Sequence, residues 1–366
     1  MSPPLVLHLQ KVAGISGSET HLLSLLPALR SRGWNARMLM LHENESGAWA
    51  FARELRARGV HLDAIRLRAD VDPLAFVRLT AYLAADRPTL VHTHLVHGDV
   101  YGQLAATLAR VPVRVSTKHG FNEFRELRGF AAADRAVAGL AHAHIAVSRG
   151  LARYLAETEG FDENGFHIVH YGIHVDGDAS AYEGPPRLLC VGRLIPMKGH
   201  IVLFRAFAAA VERVPELELA IAGRGPLEPA LRALARELGL ERRIRFLGHV
   251  APIQRALERA LIVVVPSVGE GFGMAALEAM ERARPVVAAA VGGLVDIVRD
   301  GETGLLVPPG EVERLAEAIV ELASNPARAR RLGEAGRRRA LAWFGEARSV
   351  DRVEALYRSF LDAAQT

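Results

Sequence analysis

At 366 residues, half of them apolar and with a formal net charge of only +4, the chain has material for two hydrophobic cores and lacks the strong basicity of a nucleic-acid binder. A single cysteine, Cys190 in the apolar run RLLCVG, excludes an internal disulfide framework and reads as a small buried hydrophobe, so a cytoplasmic location is expected. No apolar run reaches the roughly 18 to 20 residues of a membrane span, which leaves peripheral contact with the inner face of a membrane as the closest lipid role.

In chain order, MSPPLVLHLQKVAG opens with a short apolar run that reads as a first strand, not a signal peptide. LVLHL, WNARMLML, VHLDAI, TLVHTH, VRVSTKHG, AHIAVS and FHIVHYG follow as strands or strand ends. THLLSLLPALRSRG, GAWAFARELRARG and GDVYGQLAATLAR read as helices between them. This alternation predicts an α/β domain over residues 1–180 whose parallel sheet is covered on both sides. The polar, proline-bearing stretch from Asp178 to Pro186 marks a boundary. Beyond it, RLLCVGR, LELAIAGRG, IRFLGHV, ALIVVVPS and RPVVAAAVGG alternate with helical patterns near 199–213, 226–239, 251–259 and 274–281, giving a second doubly wound domain over 187–345. Ligands of such sheets gather beyond the carboxyl ends of the strands, here in a central cleft that the two domains are expected to face. The tail reads as helical with a break near Trp343 to Gly345, and the apolar positions of its last part, 346–366, need a surface to cover.

The residues with chemical potential cluster after strands. In PSVGEGFGMAALEAM, glycines at the start of a helix let backbone amides approach an anion, which the helix dipole also favours. Glu270 on that loop and Glu278 inside the helix then suit hydroxyls of two parts of one ligand; an ordinary turn residue and an exposed helix charge fit the same spacing. VGRLIPMKGH brings Arg193 and Lys198 after a strand, a fork-shaped donor and a compact ammonium able to clamp a diphosphate. AGRGPL, with Gly223 and Arg224, is a second glycine bend. In GISGSET, Gly14 and Gly17 allow a phosphate to come close and Ser18 is a candidate helix cap. This is not the G-x-G-x-x-G dinucleotide fingerprint, and no ribose-binding acid stands in the matching register, which disfavours a nicotinamide dehydrogenase.

Of fifteen histidines, His92 and His94 share a strand face by parity, but with no cysteine or acidic trio beside them no metal is assigned. His119, at a strand exit, can hydrogen-bond a sugar hydroxyl or a backbone carbonyl, whereas His8, His144, His167 and His170 are read as structural. HGFNEFRELRGFAAADRA combines Phe121, Phe124 and Phe130 with Arg125 and Arg128, as an acceptor lid, a lipid-facing surface or an ordinary helix.

Together, GRLIPMKG, AGRGPL, FLGHV, PSVGEGFGMAALEAM, RPVVAAAVGGLVDIV and DGETGLLVPPGE resemble the donor-binding half of retaining GT-B glycosyltransferases of the glycosyltransferase 4 family, and GISGSET, VHTH and TKHG match its acceptor side less specifically. The resemblance implies the GT-B fold, two Rossmann-like domains, with the last helix returning to the first domain. It implies a UDP-, GDP- or ADP-sugar donor, no required cofactor, and a glycan, lipid-linked sugar or small molecule as hydroxyl acceptor. By the same resemblance Arg193 and Lys198 hold the diphosphate beside Gly192, and Glu270 holds sugar hydroxyls. Gly271, Phe272, Gly273 and Met274 support sugar and phosphate, Glu278 binds ribose, His249 and Val250 border the base, and His119 faces the transferred sugar. The chain departs from the pattern at Gly14-Ile15-Ser16-Gly17, where a double glycine is usual, at Ala283 and at Asp296. The readings kept beside retaining sugar transfer are a nucleotide-sugar 2-epimerase and a non-catalytic sugar-nucleotide-binding protein; no RNA-binding motif supports a nucleic-acid partner.

Overall fold

The computed structural model describes residues 3–121, 134–175, 177, 179, 182 and 184–363. It divides into two compact units, one formed by Met1–His174 with Glu346–Thr366, the other by Val175–Gly345. Part of the stretch expected as a boundary, Asp178 included, lies outside the described residues, as do Phe124, Arg125, Arg128 and Phe130.

In the first unit, strands β1 (Leu5–Lys11), β2 (Asn35–His42), β3 (Leu62–Arg66), β4 (Leu90–His94), β5 (Val113–Lys118), β6 (Ala143–Ala146) and β7 (Phe166–Ile168) form one sheet in the order β3-β2-β1-β4-β5-β6-β7. Every adjacent pair is parallel. Residue parity sorts the side chains into two cores. Val6, Met38, Met40, Leu90 and Val115 lie on one face, under α1 (Gly17–Ser31) and α2 (Ser46–Ala57). Leu7, Leu9, Leu39, Leu41 and Val91 lie on the other, under α3 (Pro73–Asp86) and α4 (Leu95–Leu108). Both faces are dry, so the strands read as continuous apolar runs.

Two helices of this unit, α3 and α5 (Arg149–Glu159), were not among the sequence expectations, although each carries legible end signals. Asp72 accepts the Ala75 amide at 3.0 Å with Pro73 opening the helix, and Ser148 accepts the Leu151 amide at 3.0 Å before α5, which stops at Gly160 with φ 72°. Only a few positions of each face the core, Ala75, Leu79 and Leu83 in α3 and Leu151, Ala152 and Leu155 in α5, so the inward stripe is narrow.

The second unit holds β8 (Arg187–Val191), β9 (Glu218–Ala222), β10 (Ile244–Gly248), β11 (Ile262–Val265), β12 (Val286–Ala289) and β13 (Leu305–Val307), all parallel in the order β10-β9-β8-β11-β12-β13. Its helices are α6 (His200–Arg213), α7 (Glu228–Glu237), α8 (Gln254–Leu257), α9 (Met274–Glu281), α10 (Leu294–Ile297), α11 (Val312–Ala323) and α12 (Pro326–Phe344). The helix expected over 251–259 is cut to the single turn of α8, with Ile253 at its N-cap. Cys190 sits in this core at 2% exposure, and burial pushes its thiol up to about 12, so it is inert.

Gly345 ends α12, and the last helix, α13 (Glu346–Ala363), belongs to the first unit. Its Val350, Val353, Leu356, Tyr357 and Leu361 join the core formed by α1, α2 and the sheet, while Arg32 holds Asp351 at 2.5 Å and Glu354 at 3.1 Å outside it. A methyl group on Gly172 would stand 2.6 Å from the Glu346 Cα, so the chain enters α13 through a contact only glycine leaves open. Leu356→Ala is expected to cost about 2–4 kcal/mol, measured by denaturant unfolding of the whole chain.

Candidate functional site

In the second unit the chain runs from β8 outward to β9 and β10, then returns past β8 to β11 and onward to β12 and β13. The carboxyl ends of β8 and β11 therefore diverge into opposite-going connections, the switch point at which open α/β sheets take ligands. The segments leaving these two strands are locked together. A Cβ on Gly199 would meet the Pro266 carbonyl oxygen at 2.0 Å, and the Val268 amide donates to the Met197 carbonyl at 2.9 Å. Gly199 itself is left-handed at φ 69°, closing a 3-10 turn over Pro196–Lys198.

That lock fixes Lys198 against Glu270. The Lys198 Nζ donates to Glu270 Oε2 at 2.7 Å, and Ser267 Oγ donates to the same oxygen at 3.1 Å, so Oε1 is left without a partner among the described residues. The stem of Lys198 runs 3.6 Å from where a Gly192 side chain would begin. Arg193 is exposed, and among the described residues its guanidinium makes no ion pair or hydrogen bond. Behind it, Gly223 would place a Cβ 1.8 Å from the Gly192 carbonyl oxygen, and Leu194 donates to the Arg224 carbonyl at 2.9 Å. Arg224, His249 and Val250 sit at the ends of β9 and β10, with Arg224 and His249 exposed.

On the β11 side, Gly273 at φ 113° opens α9, whose first amides have no intrahelical acceptor. Gly293 would place a Cβ 2.3 Å from the Phe272 carbonyl oxygen and donates its amide to the Glu270 carbonyl at 3.0 Å, so the loop Glu270–Gly273 is held from behind. Glu278 lies one turn into α9, near Glu281; burial first, and that second carboxylate next, push its carboxyl up to about 7.

The first unit contributes a different construction. Register pairs His8 with His92 and His94 with Thr117, so all four share the face under α1 and α13. His94 bonds His8 at 2.9 Å and His119 at 2.8 Å; His119 bonds the Tyr171 hydroxyl. The Tyr357 hydroxyl of α13 reaches His92 at 2.5 Å and His8 at 3.2 Å, and His92 bonds Thr117 at 2.6 Å. Burial lowers the His8 ring to about 3 and His92, His94 and His119 well below the ordinary histidine value, so the rings are neutral. His8, His92 and His94 are also spaced as a metal trio, with ligand atoms within 4.8 Å of one another, but those nitrogens already bond each other, Tyr357, Thr117 and His119. On the opposite face, Lys118 Nζ is buried between Asp99, at 2.7 Å, and Asp134, at 3.2 Å.

Residues 176–339 match the family of glycosyl transferases group 1, and residues 15–176 match glycosyltransferase family 4. The phosphatidyl-myo-inositol mannosyltransferase of Mycobacterium leprae is 30% identical over 84% of this chain and 84% of its own length. The chain belongs to the group 1 glycosyltransferases of family 4. The alpha-maltose-1-phosphate synthase of Mycolicibacterium smegmatis is 29% identical over 93% of this chain and 95% of its own, whereas EpsD of Bacillus subtilis, at 36%, is matched over only 42% of its length. Among solved structures, Anabaena HepE in complex with UDP and glucose superposes with a TM-score of 0.81 at 21% identity, covering 97% of this chain and 99% of that one. The fold is GT-B.

In this glycosyltransferase the structure brings Gly192, Lys198, Glu270 and the Gly271–Met274 turn to one switch point, while His119, Gly14 and Gly17 lie in the other unit. The expected Ser18 cap is corrected: the N-cap of α1 is Ser16, whose amide donates to Glu19 at 3.0 Å and whose hydroxyl donates to it at 2.5 Å, while Ser18 lies inside the helix. A carboxylate of the chain's own thus serves that helix end, and a phosphate at Gly14 and Gly17 would compete with it. His119 does not offer a free nitrogen, since both are bonded. Tyr171, Tyr357, Ser267 and the Lys118 cluster carried no pattern that sequence reasoning could use; His8 did, since it shares strand parity with an inward-facing core.

Because His8 and His21 fall from 6.5 to about 3 and about 4 on folding, the unfolded chain binds more protons below 6.5 and the first unit loses stability there. Unfolding midpoints are expected to drop as pH falls from 7 to 5, and His21→Gln is expected to flatten part of that slope in a thermal melt series.

Proposed function

We propose that this chain moves a sugar from a nucleotide diphosphate sugar to an acceptor hydroxyl with retention at the anomeric carbon. The observation that carries the reading is the Lys198–Glu270 pair at the switch point, one cation and one partly unused carboxylate side by side where a sugar diphosphate has both needs. Lys198 and Arg193 neutralise the charge that gathers on the diphosphate as its bond to the anomeric carbon breaks, an interaction stronger in the transition state than in the bound donor. The acceptor oxygen bonds to that carbon from the face the diphosphate leaves, and its proton passes to an oxygen of the departing diphosphate. Glu270 positions sugar hydroxyls through Oε1, and its grip on Lys198 keeps the ammonium aimed when no donor is bound.

The loop amides at Gly271, Phe272, Gly273 and Met274 support the sugar and phosphates, with Gly192, Gly223 and Arg224 bordering them. His249 and Val250 flank the base. Glu278 takes the ribose hydroxyls. UDP in the HepE neighbour makes UDP-sugars the first donors to test, and the names of the relatives put inositol-containing acceptors first.

Two outcomes are expected. Ligand-observed NMR against UDP-, GDP- and ADP-sugars selects one donor, and Lys198→Ala lowers kcat about 10²–10³-fold while unfolding free energy moves by about 1 kcal/mol or less. An unchanged rate in that variant removes Lys198 from the clamp.

Ribose hydroxyls donate to a carboxylate, so donor binding favours the charged form of Glu278 and releases a proton from a group sitting at about 7. Affinity is therefore expected to fall as pH drops from 8 to 6, and Glu278→Gln, titrated by calorimetry, to bind more weakly without that slope. A slope retained in Glu278→Gln assigns the proton to another group.

A further inference from the structure

His200 opens α6, two residues after Lys198, and is 1% exposed. Neither of its ring nitrogens has a hydrogen-bond partner among the described residues. A buried polar atom left unpaired carries its full desolvation penalty, so native cores keep few of them, and this one ring holds two. An apolar side chain would suit the position better, because the same stripe of α6 sends Leu203, Phe204, Phe207 and Ala210 into the core. The ring is neutral, since burial first, and the Lys198 ammonium next, lower it to about 4. It therefore has one hydrogen to donate.

The backbone beside it is in the same condition. The Gly199 carbonyl accepts the Leu203 amide at 3.1 Å, and the amides of His200, Ile201 and Val202 ahead of it have no acceptor among the described residues. Gly199 is the N-cap and brings no side chain to them. At α1 the chain answers this need with its own Glu19, whereas at α6 no described carboxylate does. Cα–Cβ bonds of a helix lean toward its amino end, so the ring of the first residue stands beside these amides, on the side where Lys198 acts on it. Ile201 is 42% exposed and the Lys198 side chain 21%, so the helix end reaches solvent although the ring is covered. Three idle amides at the positive end of a 14-residue helix, one idle imidazole hydrogen and an ammonium complement an anion with several oxygens.

We propose that the amino end of α6 is a phosphate subsite, where the His200 ring and the amides of His200, Ile201 and Val202 hold oxygens of one phosphate of the donor, next to Lys198. This assignment rests on the reading of the chain as a nucleotide-sugar transferase. The other phosphate then stays with the turn Gly271–Met274 that opens α9, so two helix ends divide the diphosphate between them. His200 is a binding residue whose hydrogen bond is unmade in the ligand-free chain, and its place in the core lowers stability until a phosphate arrives.

Inorganic pyrophosphate, which carries the diphosphate without base or sugar, is the probe, titrated by calorimetry into the wild-type chain and into His200→Phe. The phenyl ring keeps the bulk and removes both nitrogens. Binding about 10-fold weaker in the variant is expected, with a ligand-free unfolding midpoint equal to or above that of the wild type. Equal affinities overturn the subsite, as does a wild-type chain that binds no pyrophosphate. A lowered midpoint with unchanged affinity makes His200 a packing residue and overturns it too. Should His200→Phe fail to fold, His200→Leu is read by the same two measurements. In ¹⁵N-histidine-labelled wild type the His200 ring signals are expected to shift on addition of pyrophosphate, and unmoved signals again overturn the proposal. The clamp is judged apart from this: if His200→Phe binds pyrophosphate as the wild type does while Lys198→Ala loses turnover, the α6 subsite falls and the transferase reading stands.

Discussion

The carbonyl oxygen of Gly192 stands 1.8 Å from where Gly223 would carry a Cβ, and the rest of the switch-point geometry depends on that closeness. Parallel strands end together, and their following loops compete for the same space above the sheet. Where two loops must touch backbone to backbone, only a residue without a side chain allows it. Gly223 against Gly192, Gly199 against Pro266 and Gly293 against Phe272 are three such contacts around one switch point. Together they turn four loops into one rigid rim, on which Lys198 and Glu270 have a single mutual arrangement. Rigidity is what electrostatic catalysis asks of such a rim, since charges that must reorganise during the reaction give back much of what they stabilise.

Lysine is scarce here, with only Lys11, Lys118 and Lys198 in a chain whose other basic side chains are arginines. Each of the three is held by carboxylates: Lys11 by Glu43 and Asp70, Lys118 by Asp99 and Asp134, Lys198 by Glu270. A compact ammonium with three freely rotating donors fits a small site with several acceptors, where the planar guanidinium fork would not. Lys118, with no exposed side chain, shows the limit of the case, for its desolvation is compensated by two buried carboxylates, one of which also accepts Ser116 and Thr93 hydroxyls. In a composition drifting toward arginine, lysine marks the positions where size as well as charge is constrained.

Much of the architecture was legible because parallel, doubly covered strands leave continuous apolar runs; each strand of the first sheet overlaps one of the runs read from the sequence, with β1, β2 and β3 extending one or two residues past theirs. Strand β13, three residues long, and helices α3, α5 and α11 were not read from it, although α11 buries a broad face from Leu315 to Ala323. At the site, the loop glycines with Lys198 and Glu270 stood out as residues after strands, and that position is a property of the chain itself. Ser16, by contrast, lost the cap to Ser18 in the sequence reading, although Glu19 three positions after Ser16 spelled the capping box.

The order of strands and helices, the glycine-rich turns and the family to which the chain belongs are all carried by local pattern, because periodicity and turn chemistry act over a few residues. What only the tertiary structure decided are the partners. That the unused oxygen of Glu270 is Oε1, that His119 has both nitrogens bonded, and that Tyr357 near the end of the chain sits between His8 and His92 follow from register and from the docking of α13. Hydrogen bonds are satisfied by proximity in space, and 349 residues of chain separate Tyr357 from His8.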